Sequence, residues 1–344
     1  MLTRKIAALV VGASAALSMA TASAQQTTLN VSTWLPPSHV QNRVVWPTWA
    51  QWVEDATEGR VKVNIEYTSS NPGQLFEMVE DGVTDAAFSF HGFIPGRFDL
   101  QEIVELPGLG TNAEGASAAH WRTYQKYLAE AGEHEGLELL ALFTHGPGVM
   151  QTNFPVSSLD DLKGKKIRVG GGVQAEIGKR LEITPVAAPG NKVYELLQTG
   201  VVDGVFMPVT EQKAQRLFEV APYITMLPQG MYLGSFTMFI SPDFLDSISP
   251  EDAEAIRSVS GEKLSIFAGR AWDAEDTESL EFAREQGVTI NLLDADDPIA
   301  VEYAKKMEGL DQAWLDRVAS KGVDAEAALA MLRSEAANYK SETQ

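Results

Sequence analysis

The stretch "YELLQTGVVDGVFMP" at residues 194–208 repeats the pattern of "FEMVEDGVTDAAFSF" at residues 76–90. Each copy runs from an aromatic residue and Glu through two apolar and two polar residues to Gly, Val, Asp and a final Phe-containing segment. This order is typical of a helix that ends at glycine and is followed by a buried strand. The copies lie too far apart for a short-period repeat. We therefore predict the same helix-to-strand junction in two similar lobes.

Helix-like and strand-like segments alternate around both copies, which favours an α/β fold. Strands are predicted at 28–34, 60–67, 84–90, 165–169, 184–188 and 203–207. A helix predicted from about 250 to 286 is long enough to cross both lobes, unless Gly261 or Gly269 bends it. A final amphipathic helix is predicted at 324–339.

The predicted architecture has two similar α/β lobes. Each lobe has a mixed, mostly parallel sheet flanked by helices, and the long helix at about 250–286 is shared. Lobe I is predicted at 25–148 plus about 232–265, and lobe II at 149–231 plus about 266–344.

The first 24 residues have the pattern of a secretory signal peptide. Arg4 and Lys5 precede an apolar run from Ile6 to Ala20, and "ASA" follows at 22–24. A membrane anchor is the alternative, but the run is shorter than the ~20 residues that a bilayer requires. We predict cleavage after Ala24, export to the periplasm and no direct membrane insertion.

Composition excludes several classes of function. The chain of 344 residues has no cysteine, which excludes disulfides, thiolate metal sites and a cysteine nucleophile. It has 27 Lys plus Arg against 47 Asp plus Glu, a net charge of −20 that repels phosphate backbones. We predict no nucleic-acid partner.

Enzyme motifs are weak. "VGGGVQA" at 169–175 fits a dinucleotide fingerprint, but the next predicted strand, "TPVAAPGN", lacks the ribose-binding acid. We interpret these glycines as a close-approach turn that leads into a helix N-terminus, where at most an anion would be favoured. We predict no catalytic residues, cofactor or metal site. The remaining enzyme hypothesis uses His91 or His145 as a base.

Arg168 is the most informative single residue, because "KKIRV" places a guanidinium inside a strand that helices should cover on both faces. A buried cation needs an anion. That anion is either an internal carboxylate or the carboxylate of a ligand, for which a planar fork is suited. Ligands of open parallel sheets bind at the carboxyl ends of strands, which here lie near Phe90, His91, Phe206 and Met207.

Four stretches together resemble the solute-binding proteins of tripartite ATP-independent periplasmic (TRAP) transporters, the DctP-like family. They are "STWLPPSH" at 32–39, "LDDLKGKKIRV" at 159–169, "VYELLQTGVVDGV" at 193–205 and "SISPEDAEAI" at 247–256. The resemblance implies a two-lobed, type II-like periplasmic binding fold whose lobes close over a small ligand, usually an organic acid whose carboxylate pairs with Arg168. It also implies delivery of the ligand to the membrane subunits of a transporter.

Two departures from the family pattern bear on the ligand. Many members have a second arginine where this chain has Gly148, and an asparagine where it has Met207. Both differences make the predicted pocket more apolar and less cationic. The predicted ligand is a monocarboxylate with an apolar body; the alternative is a small amine such as ethanolamine, with Arg168 held by an internal acid. The predicted pocket residues are Trp34, Phe90, His91, His145, Arg168, Phe206 and Met207.

Overall fold

The structure, a computed structural model, describes residues 26–68 and 71–341. The predicted signal peptide and its cleavage site lie outside these residues. The strands are β1 (Thr27–Thr33), β2 (Val61–Tyr67), β3 (Ala86–Phe90), β4 (Glu138–Thr144), β5 (Gly148–Thr152), β6 (Lys166–Val169), β7 (Thr184–Ala187), β8 (Gly204–Pro208), β9 (Tyr223–Met226), β10 (Ser235–Ile240) and β11 (Thr289–Leu292).

The α-helices alternate with these strands. They are α1 (Trp46–Ala56), α2 (Leu75–Glu80), α3 (Ala113–Thr123), α4 (Val173–Arg180), α5 (Val193–Gln198), α6 (Glu211–Ala214), α7 (Pro242–Ser247), α8 (Pro250–Ser258), α9 (Glu262–Glu285), α10 (Pro298–Met307), α11 (Leu310–Val318) and α12 (Ala325–Asn338). A π-helical turn at Gln41–Val45 leads into α1, and a 3-10 helix covers Gln101–Glu105.

The strands form two sheets, one in each lobe. The first has the order β2-β1-β3-β10-β4, and the second has the order β11-β9-β5-β8-β6-β7. Within the first sheet only β10 runs against its neighbours, and within the second only β5 does. The predicted α/β class, with two mixed and mostly parallel sheets, is confirmed.

The chain crosses between the sheets three times in the described residues: in the short segment after β4, between β9 and β10, and between β10 and β11. The residue limits given above for the two lobes stay a prediction.

The doubled phrase, the pattern shared by residues 76–90 and 194–208, marks equivalent helix-to-strand junctions in the two lobes, as predicted. In the first lobe α2 ends before Gly82, whose φ is 68°, and β3 follows. In the second α5 ends before Gly200, whose φ is 69°, and β8 follows. Only glycine adopts this left-handed conformation without steric cost, so both helices stop at the same point of the motif.

The repeated aspartate also has the same role twice. The Asp85 carboxylate accepts a hydrogen bond from the backbone N–H of Asn30 at 2.7 Å, and the Asp85 N–H donates to the Asn30 carbonyl at 3.0 Å. Asp203 makes the same reciprocal pair with Lys166, at 2.9 and 2.7 Å. Each aspartate therefore ties the start of its strand to the neighbouring parallel strand.

The helix predicted from about 250 to 286 is two helices, α8 and α9, so the prediction of one continuous helix is wrong. Gly261, with φ 67°, breaks it. The second helix, α9, has 24 residues, or about 36 Å. It packs on α3 and β4 near its start and on α6 further along, and Ala283 near its end lies against the second sheet. The prediction that a long helix spans both lobes is confirmed for α9.

Candidate ligand-binding site

The two lobes meet where the central strands end. The turn after β6 places Gly171, with φ 116°, against Gly92, which follows β3 in the other lobe. A Cβ atom on Gly171 would lie 2.2 Å from the carbonyl oxygen of Gly92. The glycine-rich stretch is thus a close-approach turn, which is the interpretation drawn from the sequence, and it lets the lobe edges touch.

The N-terminus of α4 follows that turn and is already capped by a side chain. Glu105 accepts hydrogen bonds from the backbone N–H of Val173 at 3.0 Å and of Ser235 at 3.1 Å. Burial raises the pKa of Glu105 well above its ordinary value. Because the Glu105 side chain occupies this helix end, a ligand anion has to be bound elsewhere.

A cavity of about 40 Å³ lies beside this contact, between the lobes. Residues from both lobes line it: Trp34, Leu35, Phe90, Phe93, His145, Arg168, Gly170, Gln174, Gly190, Met207, Pro208, Glu211, Tyr232, Phe236 and Trp272. Five of the seven predicted pocket residues are among them: Trp34, Phe90, His145, Arg168 and Met207.

The other two predicted residues, His91 and Phe206, lie outside this cavity. His91 Nδ1 is 2.9 Å from the Ser235 hydroxyl, and its Nε2 is 2.9 Å from His134 Nε2. Both ring nitrogens therefore have hydrogen-bond partners inside the first lobe. Phe206 is fully buried in the core, because side chains of a strand alternate between faces and its neighbour Met207 has the cavity side.

Arg168 is the decisive group of the cavity. It is 4% exposed, and its Nε donates to the Ala188 carbonyl oxygen at 2.8 Å. Within 26–68 and 71–341 it forms no ion pair with a carboxylate. Burial lowers the pKa of Arg168 to about 10, so the group remains a cation at neutral pH. An internal salt bridge, one of the two alternatives left open by the sequence, is therefore absent from the described structure.

Aromatic rings form most of the walls. The Trp34 indole N–H donates to the Phe88 carbonyl oxygen at 3.2 Å, which fixes the ring at the end of β1. The Phe90 ring centroid lies 5.1 Å from that of Phe93 and 5.2 Å from that of Phe236. Such a surface fits a flat apolar body.

His145 lies in the segment that crosses between the sheets. Its Nδ1–H donates to the Gly146 carbonyl oxygen, which leaves Nε2 without a proton in the neutral ring. Burial lowers the pKa of His145 to about 4. The ring is therefore uncharged at neutral pH and a weak base, and its Nε2 remains a hydrogen-bond acceptor.

Tyr232 explains one of the two family departures. Its hydroxyl donates to the Phe206 carbonyl oxygen at 2.8 Å. A Cβ atom on Gly148 would lie 2.3 Å from a carbon of the Tyr232 ring. The phenol ring thus occupies the space into which a side chain at position 148 would extend.

Sequence reasoning missed several lining residues, above all Glu211, Tyr232, Phe236 and Trp272. Glu211 could have been found, because it follows the second copy of the doubled phrase by three positions, where a strand end enters the cleft. Trp272 could not, since only the path of α9 across both lobes brings it there.

Larger cavities lie elsewhere. One of about 370 Å³ is lined mainly by the α10–α11 region, and one of about 570 Å³ by the end of α3 and the start of β4; Arg168 lines neither. In the part of the chain that the structure describes, no cluster of three or more His, Asp or Glu side chains could hold a metal ion.

Residues 31–309 match the family model described as bacterial extracellular solute-binding protein, family 7. The chain belongs to this family. Its solved relatives include solute-binding proteins of TRAP transporters, as the sequence predicted. They are receptors for solutes rather than enzymes. Across 26–68 and 71–341, no helix combines the length and the apolar composition that crossing a bilayer requires.

Three members of the family are informative. The protein named outer membrane transporter protein TsaT, from Comamonas testosteroni, is 33% identical over 91% of this chain and 93% of its own length. A TRAP solute-binding protein from Bordetella bronchiseptica, solved with (R)- and (S)-mandelate, is 36% identical with a TM-score of 0.87, covering 90% and 99% of the two chains. One from a marine metagenome, specific for aromatic acids and solved with 3-hydroxybenzoate, is 27% identical with a TM-score of 0.86, covering 92% and 100%.

Proposed function

We propose that this solute-binding protein captures a small aromatic monocarboxylate between its lobes and delivers it to the membrane subunits of a TRAP transporter. The observation that carries the proposal is Arg168, a buried cation without a carboxylate partner in the described structure, inside a cavity walled by aromatic rings. A ligand carboxylate would supply the missing anion, and the rings would cover the ligand body.

The charge of the lining favours one carboxylate over two. Arg168 is the only Lys or Arg among the described residues that line the cavity, and Glu211 adds a carboxylate of its own. A dicarboxylate would bring its second charge into an aromatic wall or toward Glu211, where burial without a partner is costly. The mandelate and 3-hydroxybenzoate bound by the two solved relatives are monocarboxylates with an aromatic body.

Ligand capture requires the lobes to move apart. A cavity of about 40 Å³ has room for roughly three waters at about 10–15 Å³ each, which is less than an aromatic acid needs. The ligand would enter an open form, and its contacts with Arg168 in one lobe and Trp34 in the other would favour closure.

The amine alternative is weaker, because it requires Arg168 to be held by an internal acid and no such pair exists among the described residues. An exported enzyme is weaker still. The pKa of His145 is lowered to about 4, and His91 lies outside the cavity. Recovery of the ligand unchanged after prolonged incubation with the protein tests this.

A thermal-shift screen of aromatic monocarboxylates, dicarboxylates and small amines tests the proposal. A ligand at ~100 times its Kd adds about 2.7 kcal/mol to the free energy of unfolding. We expect the aromatic monocarboxylates to raise the melting temperature most, and Arg168→Ala to abolish the rise. The control is Lys166→Ala, which removes an exposed cation from the same strand. Selective binding of amines, or full binding by Arg168→Ala, would overturn the carboxylate assignment.

Delivery to a transporter from the periplasm has its own test. Uptake of the identified acid by cells that make the chain together with TRAP membrane subunits should depend on this protein. Mass spectrometry of the exported chain should find Gln25 at its N-terminus, since we propose cleavage after Ala24.

A further inference from the structure

Glu211 is a buried carboxylate whose hydrogen bonding is incomplete. It is the first residue of α6, it is 2% exposed, and it lines the same cavity as Arg168. Its Oε2 is buried and has no hydrogen-bond partner in the described structure. A buried carboxylate oxygen without a donor carries the full cost of its lost hydration, so a donor is needed there.

The protein group recorded beside the carboxylate, His39, approaches only the other oxygen and forms no hydrogen bond to it in the described structure. His39 Nε2 lies 3.5 Å from Glu211 Oε1, and His39 Nδ1 accepts a hydrogen bond from the backbone N–H of Gln41 at 3.2 Å. Because Nδ1 is an acceptor, the proton of the neutral ring is on Nε2, which faces Oε1. The Trp272 ring holds His39 from the side, with ring centroids 4.8 Å apart. Oε2 is left for a donor that enters the cavity.

We propose that Glu211 is a specificity-determining residue that accepts a hydrogen bond from a donor on the bound acid, either a hydroxyl or an ammonium group. The ligand would carry its carboxylate to Arg168 and its donor to Glu211 Oε2. The proposal rests on the proposed function, because it takes Arg168 as the carboxylate site. The two charged groups form no ion pair with each other in the described structure, so the ligand bridges them.

The Glu211 carboxylate also determines which ligands bind weakly. An acid without a donor leaves Oε2 unsatisfied, and a second ligand carboxylate at that position meets a like charge. A hydrogen bond to a charged acceptor is about twice as strong as one between neutral groups. Loss of it corresponds to roughly ten- to hundredfold in affinity.

A ligand series with one skeleton tests the proposal by calorimetry on the mature protein. The series is phenylacetate, mandelate, phenylglycine and phenylmalonate, in which the carbon next to the carboxylate carries hydrogen, hydroxyl, ammonium or a second carboxylate. Benzoate, 3-hydroxybenzoate and 3-aminobenzoate place the substituent on the ring instead. We expect a donor-bearing acid to bind at least about tenfold tighter than its parent in one of the two series, and phenylmalonate to bind weakest.

The variant Glu211→Gln should reduce the ratio between the affinity of the donor-bearing acid and that of its parent by about tenfold, since glutamine keeps the shape but removes the charge. Glu211→Asp moves the carboxylate away from the cavity by the length of one methylene group and should also reduce the affinity ratio. This second variant tests the proposal even if Glu211→Gln does not fold. The matched control is Glu219→Gln in the same lobe; Glu219 pairs with Arg216 and Tyr194 outside the cavity, so the ratio should stay as in the wild type.

The outcomes separate the two proposals. If the parent acids bind as tightly as the donor-bearing acids, or if the Glu211 variants weaken all acids equally, the role of Glu211 is wrong and the carboxylate site at Arg168 stands. If no acid of either series binds, the proposed function itself is wrong. Tighter binding of mandelate than of phenylglycine identifies the donor as a hydroxyl, and the reverse order identifies it as an ammonium.

Discussion

Arg168 donates through Nε to the carbonyl oxygen of Ala188 at 2.8 Å. Ala188 follows directly after β7, which pairs in parallel with β6, the strand of Arg168. The sheet register therefore fixes the plane of the guanidinium and leaves its terminal nitrogens to face the cavity. A planar fork held in this way can bind both oxygens of a carboxylate.

Replacement of Arg168 by lysine tests the importance of this geometry. Lysine keeps the positive charge but lacks the Nε donor and the fork, so we expect the affinity for the best aromatic acid to fall about ten- to hundredfold. Calorimetric titration measures it. Arg180→Lys on α4, whose guanidinium donates to the carbonyl oxygens of Lys306 and Glu308 and pairs with Glu176 outside the cavity, is the control. Equal affinities of Arg168→Lys and wild type would show that charge alone is sufficient.

The close packing of Gly148 against Tyr232 leads to a stability prediction. The substitution Gly148→Ala places Cβ 2.3 Å from a ring carbon of a buried tyrosine. We expect a loss of about 1–3 kcal/mol in the free energy of unfolding, the usual cost of overpacking. Denaturant unfolding measures it. Gly73→Ala is the control, because its nearest neighbour would be at 3.4 Å, an ordinary contact.

A double variant identifies the cause of that loss. In a Tyr232→Ala background the ring is gone, so Gly148→Ala should cost much less than in the wild type. Equal costs in both backgrounds would place the strain somewhere other than at Tyr232.

The fold could be predicted from the sequence where local pattern decides it. The doubled phrase gave both junctions, because a glycine with positive φ and an aspartate bonded to the next strand are local requirements. The break at Gly261 was less visible, since a helical apolar pattern continues on both sides of it. Glycine lowers helix propensity but does not by itself decide where a helix ends.

The site was predictable only in part. Arg168 stood out because a cation inside a buried strand is unusual. His91 and Phe206 lie outside the cavity lining, and the sequence does not say toward which face of the strand end each ring turns. Trp272 and Phe236 come from elements far along the chain, and only tertiary packing brings them to Arg168.

Contact between Gly171 and Gly92 predicts a variant that impairs closure. In Gly171→Ala the new Cβ would meet the Gly92 carbonyl oxygen at 2.2 Å, so the lobes could not approach as closely. We expect ligand affinity to fall by about tenfold or more, because a smaller fraction of the protein reaches the closed form. Small-angle scattering should show a ligand-induced decrease in radius for the wild type and a smaller one for the variant.

Gly164→Ala is the matched control for that experiment. Gly164 also has a positive φ, 70°, but a Cβ there has no neighbour within 4 Å. Gly164→Ala bears the strain of a left-handed φ, about 1–2 kcal/mol. Gly171→Ala, at φ 116°, bears backbone strain of its own and alone adds the contact between lobes. If the two variants lose the same affinity, strain rather than obstructed closure is responsible.

Asp276 on α9 predicts how stability depends on pH. Its carboxylate accepts hydrogen bonds from the backbone N–H of Thr210, at 2.8 Å, and from the Thr210 hydroxyl. Burial nevertheless raises the pKa of Asp276 to about 7. An unfolded aspartate has a pKa of about 3.9. Between these values the unfolded chain has lost the proton and the folded protein has kept it.

The sign follows from this difference. Below about pH 4 both states are protonated and Asp276 has no effect on the pH dependence. As the pH rises from 4 to 7 the unfolded state is favoured, so stability falls by an amount on the order of 4 kcal/mol and then levels off. The free energy of unfolding of Asp276→Asn minus that of the wild type should therefore increase over this window.

A control with the opposite sign makes the measurement decisive. Asp160 is exposed, and its hydrogen bond to Lys163 lowers its pKa, so Asp160→Asn should lose stability relative to the wild type as the pH rises through the acidic range. Denaturant unfolding from about pH 2 to 8 provides all three curves, with the Asp160 change below about pH 4 and the Asp276 change above it. A difference between Asp276→Asn and the wild type that does not change with pH would mean that Asp276 is ionised in the folded protein, despite its burial beside Thr210.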